Sequence, residues 1–580
     1  MTKPKIFNAL IGTPPVHDTR STVRWTIAAM LLSSAMVVLA LLGVMRAYSP
    51  VPFWDMWDGY IGFFLRVSHD GWPIWFEAHA EHHIVLSRLF FYADIAWLGG
   101  RGILPLTVSL LMAATITTLF CRATVRVGEM LPSTSRVAVY TVVVGVVFFW
   151  SQRENFTWAF QTQFFLAQAL PLLAFYLAGS ARVGTACTVR AFGAIAVALI
   201  ALGTMANGIL ALPLLLVLGA CVGFGTGWLA TTALATCVAV LLFRIGFSGS
   251  QTHVSMLSVL LERPLDVLHF TLRYIGSPMW FAFDRASWAF GIAETAAALL
   301  LLAAAALLPG AWRARHIAPM RLAMLAVIAY VVTSAFGTAL GRLPLPYGVA
   351  GATASRYTGM AGMAWLALLV AALPAIRPLR SGRFGGITAT VLLLALMPWQ
   401  LHALRSQTSV LYERDLAALA LATQMDDPDA IGSIYPPENA AHALDVAAQA
   451  MQAGLPTFGY AHLAEASGLL GQHELSPSCQ GGIETSRALA KTTSDRRIDG
   501  HLMAPFSVRK GHPALVLDEH GTIVGWALVR PKGTRERGDS ATGDPFSGYV
   551  RDARTRNANW PVTSLRICQW TADASSAHSE

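Results

Sequence analysis

Two carboxylates, Asp55 and Asp58, lie three residues apart in the aromatic string PVPFWDMWDGY at residues 50–60. On a helix this spacing places both side chains on one face. Paired carboxylates can divide the work of a reaction, because one can act as a general base while the other orients an acceptor hydroxyl or binds a metal ion. An isolated Asp more often caps a helix N-terminus. The neighbouring Trp54 and Trp57 favour a functional site, and we predict Asp55 and Asp58 as its catalytic residues.

A second polar cluster is the string HAEHH at residues 79–83. We predict that His79, Glu81 and His82 line a substrate pocket. His79 and His83 are four residues apart, so together with Glu81 they form an alternative set of metal ligands, which leaves a divalent metal open as a cofactor. The order of residues is not the HExxH pattern of zinc proteases. An interfacial structural role is the third alternative.

Further polar residues occur where apolar segments begin. Glu154 lies in the tight turn SQREN at residues 151–155, which leads into an apolar segment that contains Gln161. Glutamines inside a membrane-crossing helix are costly unless they meet partners or a wet cavity. We therefore add Glu154 and Gln161 to the predicted pocket, with interhelical hydrogen bonding as the alternative.

Two arginines bracket a loop rich in Pro and Gly. Arg342 precedes the loop, and Arg356 follows it together with Tyr357, which we assign to the pocket. A guanidinium at this position can bind a phosphate through its fork of N–H donors. On physical grounds alone the alternative is an interfacial arginine that reaches lipid headgroups.

The composition indicates the scaffold that must position these residues. Of the 580 residues, 54% are hydrophobic and only 13% are charged, whereas soluble domains contain roughly 25% charged residues. A helix needs about 20 apolar residues to cross a bilayer. We predict an α-helical polytopic membrane protein of about 11 spans, at residues 25–45, 103–121, 137–150, 156–179, 190–205, 208–223, 227–245, 286–308, 320–340, 358–376 and 385–402.

The charges indicate an orientation. Residues 1–402 contain 26 Lys and Arg against 13 Asp and Glu, whereas residues 403–580 contain 16 against 20. With residues 1–24 in the cytoplasm, the arginine-rich loops between spans also face the cytoplasm, as the positive-inside rule requires. The basic excess therefore indicates a multi-pass protein of the bacterial inner membrane, with no nucleic-acid partner. The first span is then an uncleaved signal anchor, and residues 403–580 are extracytoplasmic.

Two loops that precede residue 403 are assigned to the non-cytoplasmic side. Residues 46–102 form the first outer loop. Within it, residues 84–100 look like a span but contain Arg88 and Asp94, so we predict a helix lying at the membrane interface, and a second such helix at residues 53–68. Residues 246–285 are expected to form a solvated amphipathic surface.

The C-terminal region, residues 403–580, is predicted to be a separate α+β domain. Residues 403–425 and 436–453 are predicted helices. Residues 513–518 and 522–530 are predicted to form a β-hairpin, with Trp526 in the core. Cys479 and Cys568 are either a disulfide, which an extracytoplasmic location would permit, or two unrelated thiols. We expect residues 531–545 to be mobile and residues 572–580 to be disordered.

The strings WDMWD, HAEHHIVLSRL, ENFTWAFQTQF and SRYTGMAGMAWLALL resemble those of bacterial membrane proteins in or near the GT-C superfamily of polytopic glycosyltransferases. The resemblance covers about residues 20–402. It implies a polyprenyl-phosphate sugar as donor and an acidic residue of the first outer loop, Asp55 or Asp58, as catalytic base. It further implies that Arg356, with Arg342 or Arg88, holds the lipid phosphate, and that the pocket is shaped by His79, Glu81, His82 and Glu154.

We therefore expect an inverting glycosyltransferase that acts on a glycan, lipid or protein of the cell envelope. No phosphate-binding GxxxxGK[ST] or GxGxxG sequence is present, in agreement with a donor that carries its own activated leaving group. Two alternatives are a transporter or flippase of a lipid-linked saccharide, and a glycan ligase or polymerase. The sequence contains no internal repeat that would favour a transporter.

Overall fold

The computed structural model describes residues 19–181, 185–244 and 254–455. Beyond residue 455 it describes the shorter stretches 463, 466, 468–473, 479, 481–489, 495–502, 513–531, 544–551 and 565–568. Most of the segment expected to be mobile, 531–545, and all of residues 572–580 lie outside the described residues.

Helices dominate the part of the chain before residue 455. Their bounds are α1 Thr19–Ala47, α2 Phe63–Asp70, α3 Val85–Leu98, α4 Ile103–Val127, α5 Ser133–Val147, α6 Arg153–Thr157, α7 Thr162–Ser180, α8 Thr185–Ile200, α9 Ala211–Val222, α10 Thr226–Arg244, α11 Met256–Glu262, α12 Pro264–Ala282, α13 Ala289–Arg313, α14 Pro319–Arg342, α15 Ser355–Ala372, α16 Gly382–Gln400, α17 Thr408–Ala422, α18 Pro428–Ile431 and α19 Ala440–Gln452.

Within the described residues, eight helical segments are long and apolar enough to cross a membrane. They are Arg20–Ala47, Ile103–Val127, Ser133–Thr157, Ala159–Ser180, Thr226–Arg244, Ala289–Arg313, Pro319–Arg342 and Gly382–Leu404. These segments indicate a multi-pass membrane protein, as predicted. The predicted number of about 11 spans is not confirmed.

The remaining three predicted spans correspond to shorter or more polar helices. α8 and α9 contain 16 and 12 residues, and a rise of about 1.5 Å per residue leaves each of them shorter than the ~30 Å hydrocarbon core. α15 has 18 residues, but it begins with the polar sequence Ser-Arg-Tyr-Thr. These three helices therefore belong to the helical bundle, but they are too short or too polar at one end to be counted as membrane spans.

The segment expected to be a solvated amphipathic surface contains a well-packed helix. α12 is amphipathic, and its apolar side, which includes Phe270, Tyr274 and Ile275, is buried. It packs against α13, α14 and α15. The expectation missed this burial because Asp266, His269 and Arg273 interrupt the apolar sequence of the helix.

The loop between α1 and α4, residues 48–102 (the first loop), has its own fold. A π-helical turn at Trp57–Gly62 continues into α2, and α3 follows. The carboxylate of Asp94 in α3 is completely buried and accepts hydrogen bonds from the N–H groups of Gly102, at 2.7 Å, and Leu104, at 2.9 Å. These groups lie at the start of α4, where backbone amides lack intrahelical partners. Asp94 therefore fixes the first loop to a long apolar helix.

The C-terminal region contains helices α17–α19 and, in its described part, a six-stranded sheet. The strands are β1 Gly481–Ala488, β2 Asp495–Leu502, β3 Ala514–Leu517, β4 Ile523–Val529, β5 Asp544–Arg551 and β6 Arg566–Cys568, in the order β1-β2-β5-β4-β3-β6. The predicted hairpin is confirmed as β3 and β4, which pair antiparallel. Trp526 is buried, as predicted. Cys479 and Cys568 form a disulfide.

The first loop and the C-terminal region share one hydrophobic core. Buried residues of the first loop, such as Met56 and Trp57, belong to the same cluster as Leu416 of α17 and Ile434, which follows α18. The guanidinium carbon of Arg414 also lies 4.2 Å from the centre of the Phe53 ring. The C-terminal region therefore packs directly over the loop that contains Asp55 and Asp58.

Candidate functional site

Asp55 lies directly after a residue with unusual backbone geometry. Trp54 has a φ of +50°, in the left-handed region that non-glycine residues seldom adopt, and its N–H donates to the carbonyl oxygen of Ile434 at 2.7 Å. The turn places the Asp55 side chain in a half-buried position. Burial raises the pKa of this carboxyl from its ordinary value of 3.8, and the charges of Arg356 and Arg342, together with His79 when it is protonated, partly oppose the rise.

Asp58 lies one turn further along, and both of its carboxylate oxygens have partners. The hydroxyl of Tyr435 donates to Oδ2 at 2.9 Å, and Nε2 of His442 lies 2.7 Å from Oδ1. Both partners belong to the C-terminal region. The sequence predictions did not include them, and the chain offers no local signal for contacts that span 377 and 384 residues.

His79 and His82 face each other across a short backbone bridge, in which the N–H of each residue donates to the carbonyl oxygen of the other. Burial lowers the pKa of His79, although the charge of Asp55 opposes this. The same cause lowers the pKa of His82 from 6.5 to about 4, and its Nδ1 accepts the N–H of Ala206 at 3.3 Å. Both imidazoles are therefore neutral near pH 7 and can serve as hydrogen-bonding groups.

The approach of His79 to the Asp55–Asp58 turn requires a glycine. A Cβ atom at Gly59 would lie 2.6 Å from the ring of Phe160 and 3.0 Å from Cε1 of His79. The ring centres of His79 and Phe160 are 5.1 Å apart. Gly59 thus allows the histidine and the aspartate turn to pack closely.

Glu81 forms an ion pair with Arg342, which lies at the C-terminal end of α14. Both side chains are mostly buried. A second ion pair joins Glu154 of α6 to Arg356 of α15, with 3.3 Å between Oε2 and Nη1. Each predicted phosphate-binding arginine of the α14–α15 junction is thus oriented by a predicted pocket carboxylate.

Polar contacts fix the start of α15 to the turn around Glu154. The side chain of Asn155 donates to the carbonyl oxygen of Arg356 at 2.9 Å. The hydroxyl of Ser355 donates to the carbonyl oxygen of Ser151 at 2.6 Å. These contacts fix the backbone of Arg356 to the helical bundle.

Three further predicted site residues, Arg88, Tyr357 and Gln161, are buried. The guanidinium of Arg88 donates to the carbonyl oxygens of Ile74, Trp75 and Glu77, at 2.9, 3.0 and 2.5 Å. Tyr357 is buried, with its ring centre 5.0 Å from that of Tyr274. Gln161 is also buried, and within the described residues its Oε1 has no hydrogen-bond partner. Arg88 thus holds the 74–77 segment of the first loop.

The alternative metal site is not formed by the described residues. They contain no group of three or more His, Cys, Asp and Glu side chains arranged to hold a metal ion. Nδ1 of His83 instead lies 3.0 Å from the carbonyl oxygen of Phe76, and its ring packs against Phe243.

A cavity of about 760 Å³ lies in the C-terminal region, lined by residues of α17, α18 and the sheet. Several of its charges are paired with each other. Arg487 lies 2.8 Å from Asp429, and His501 lies 2.8 Å from Glu484. This cavity is distinct from the cluster around Asp55, which we treat as the candidate site.

Comparison with known proteins does not assign this arrangement. No family model, no curated protein and no solved structure matches the chain.

Proposed function

We propose that this chain is a membrane glycosyltransferase of the GT-C type, which transfers a sugar from a polyprenyl-phosphate donor to a hydroxyl of a cell-envelope glycan, lipid or protein. One observation supports this proposal most. The half-buried carboxylate of Asp55 lies near the imidazole of His79 and the guanidinium charges of Arg342 and Arg356, which come from three distant parts of the chain. A base beside fixed cations suits a proton abstraction coupled to the departure of a phosphate.

Asp55 is a better candidate for the base than Asp58. Both oxygens of Asp58 are already engaged, by Tyr435 and His442. Asp55 has a raised pKa caused by burial, and a carboxylate whose pKa is closer to neutrality is a stronger base while it is ionised. We therefore assign proton abstraction to Asp55 and a positioning role to Asp58.

In the proposed reaction, the acceptor oxygen bonds to the anomeric carbon as its proton passes to Asp55. The bond between the anomeric carbon and the phosphate oxygen breaks, and the polyprenyl phosphate leaves with the bonding electrons. Arg342 and Arg356 stabilise the negative charge of this leaving group. A guanidinium has five N–H donors, so an arginine that binds one carboxylate oxygen can also bind a phosphate.

The proposed orientation places the N-terminus in the cytoplasm and the C-terminal region outside it. The excess of Lys and Arg over Asp and Glu before residue 403 supports it. The disulfide between Cys479 and Cys568 also supports it, because disulfides persist in oxidising compartments. The site would then lie at the non-cytoplasmic surface of the inner membrane, where a lipid-linked phosphate is available.

The proposal is tested with purified protein in lipid nanodiscs, a panel of radiolabelled polyprenyl-phosphate hexoses and pentoses, and a cell-envelope extract as acceptor. We expect labelled product from the wild type. Asp55→Asn should reduce transfer by about 100-fold to 10,000-fold, the range typical of a lost general base. Arg356→Lys keeps the charge but loses the fork of donors, and it should weaken transfer to a smaller extent.

Two exposed residues provide matched controls. Asp70→Asn removes an exposed carboxylate of the same loop, and Arg153→Lys changes an exposed arginine beside Glu154. Both variants should retain transfer. Full activity of Asp55→Asn would refute the assignment of the base. Movement of the saccharide across vesicle membranes without any product would favour a flippase, and repeated extension of one acceptor would favour a polymerase.

A further inference from the structure

We infer that the C-terminal region is part of the site, and that Tyr435 and His442 are positioning residues that hold Asp58 and, through it, the turn bearing Asp55. This inference rests on the proposed function for its kinetic consequences. Its geometric basis is independent of that function.

The first observation that supports this inference is a pair of contacts to the Asp58 carboxylate. The Tyr435 hydroxyl binds Oδ2 of Asp58 at 2.9 Å, and His442 binds Oδ1 at 2.7 Å. Tyr435 follows α18, and His442 lies in the first turn of α19. Two separate segments of the C-terminal region therefore fix both oxygens of one side chain, which restricts its rotation as well as its position.

The second observation is a backbone contact on the other side of Asp55. The N–H of Trp54 donates to the carbonyl oxygen of Ile434 at 2.7 Å, the residue directly before Tyr435. Trp54 holds a left-handed backbone conformation, which is unfavourable for a residue with a Cβ and persists only where surrounding contacts impose it. Asp55 thus lies between two residues, 54 and 58, that the C-terminal region holds.

The third observation is the apolar packing beneath these polar contacts. Met56 and Trp57 are buried in the cluster that also contains Ile434 and Leu416. The turn from Trp54 to Asp58 is therefore held by backbone, side-chain and apolar contacts to one partner surface. The Asp58–His442 pair is itself exposed and would provide little restraint alone, so the restraint depends on the backbone and apolar contacts beside it.

Loss of this restraint should lower the catalytic rate and leave donor binding nearly unchanged. The arginines that would bind the donor phosphate, Arg342 and Arg356, belong to α14 and α15 and are oriented by Glu81 and Glu154. Loosening the Trp54–Asp58 turn displaces the base and leaves these cations in place. A displacement of about 1 Å of a reacting group can lower a rate by about 100-fold. Each variant removes only part of the restraint, so we expect kcat to fall about tenfold.

The test compares Tyr435→Phe and His442→Leu with matched variants in the same region. Tyr412→Phe removes the hydroxyl of a buried tyrosine that bonds the carbonyl oxygen of Leu528 at 3.0 Å, and His520→Gln alters an exposed histidine. We expect Tyr435→Phe and His442→Leu each to lower kcat about tenfold with the donor KM within about twofold. His442→Gln, which keeps an N–H donor, should restore most of the rate.

A double-mutant cycle separates positioning from a general loss of structure. In an Asp58→Asn background, Tyr435→Phe should lower kcat little further, because its partner is already changed. Wild-type kcat in both Tyr435→Phe and His442→Leu would overturn the inference. Effects that add fully to Asp58→Asn, or that Tyr412→Phe reproduces, would also overturn it.

The failure of this inference can be distinguished from failure of the proposed function. If Asp55→Asn abolishes transfer but the Tyr435 and His442 variants are normal, the function stands and the inference is wrong. If no sugar transfer is found at all, hydrogen–deuterium exchange of residues 53–62 still decides the structural claim. Exchange there should be faster in Tyr435→Phe and His442→Leu than in Tyr412→Phe, and equal exchange would overturn the claim.

Discussion

Replacement of Asp94 by Asn tests whether one buried carboxylate holds the first loop on α4. Its Oδ2 atom accepts from the Tyr60 hydroxyl at 2.5 Å and the Gly102 N–H at 2.7 Å, and its Oδ1 atom accepts from the Leu104 N–H at 2.9 Å. Asn preserves the shape of the side chain but replaces one oxygen with an NH₂ group. At least one of the three donors must then lose its acceptor.

The expected size of the effect follows from these contacts. A hydrogen bond to a charged acceptor contributes about 1.5–3 kcal/mol, and a buried donor left without a partner costs about 1–3 kcal/mol. Because Asn retains one oxygen, we expect the variant to lose roughly 2–4 kcal/mol of stability. Asp94→Ala removes all three acceptor contacts and should be more destabilising than Asp94→Asn.

The measurement is thermal unfolding in detergent, followed by intrinsic tryptophan fluorescence, together with the transfer assay. Asp70→Asn is the matched control, because Asp70 lies in the same loop and its ion pair with Arg66 is exposed, at 3.9 Å. Exposed pairs contribute about 0–1 kcal/mol, so the control should unfold like the wild type. If Asp94→Asn unfolds at the same temperature as Asp70→Asn, the carboxylate does not hold the loop and the reasoning is refuted.

Two further predictions concern pH and orientation. Burial lowers the pKa of His82 from an ordinary value of 6.5 to about 4. As the pH falls from 6.5 to 4, the unfolded chain therefore binds a proton at this histidine before the folded chain does, and the free energy of unfolding decreases. The unfolding temperature of His82→Gln should fall less steeply over this range, and equal slopes for the variant and the wild type would contradict a buried neutral imidazole. For the orientation, protein extracted from cells with thiols blocked and then denatured should gain two maleimide labels on reduction, at Cys479 and Cys568. No gain on reduction would argue against an oxidising location.

The elements that could be predicted from the sequence are those determined by local pattern. Long apolar runs predicted the eight segments of the described residues that are capable of crossing a membrane. Two short apolar runs on either side of Glu519-His520-Gly521 predicted the β3–β4 hairpin with Trp526 in its core. Apolarity alone did not distinguish a full span from the short helices α8 and α9, because the break between them, at residues 201–210, contains few polar residues.

The candidate site could be predicted in part. Residue type and spacing identified Asp55, His79, Arg342 and Arg356, and the structure brings these four into one electrostatic neighbourhood. The same criteria could not show that Arg88 holds backbone carbonyls, because the acceptors are main-chain atoms that have no signature in the sequence. Nor could they identify Tyr435 and His442, whose importance depends on packing between segments more than 370 residues apart.

The position of Asp55 is therefore a consequence of long-range contacts, although it lies in a short and distinctive motif. A left-handed backbone conformation costs a residue such as Trp54 about 1–2 kcal/mol, so the motif alone would favour another geometry. The hydrogen bond to Ile434, the two contacts to Asp58 and the shared core favour the observed one. We therefore expect the docking of the C-terminal region to be thermodynamically coupled to the placement of the proposed base. A change that weakens docking must lower the fraction of molecules with Asp55 in place, even when it lies far from the membrane helices.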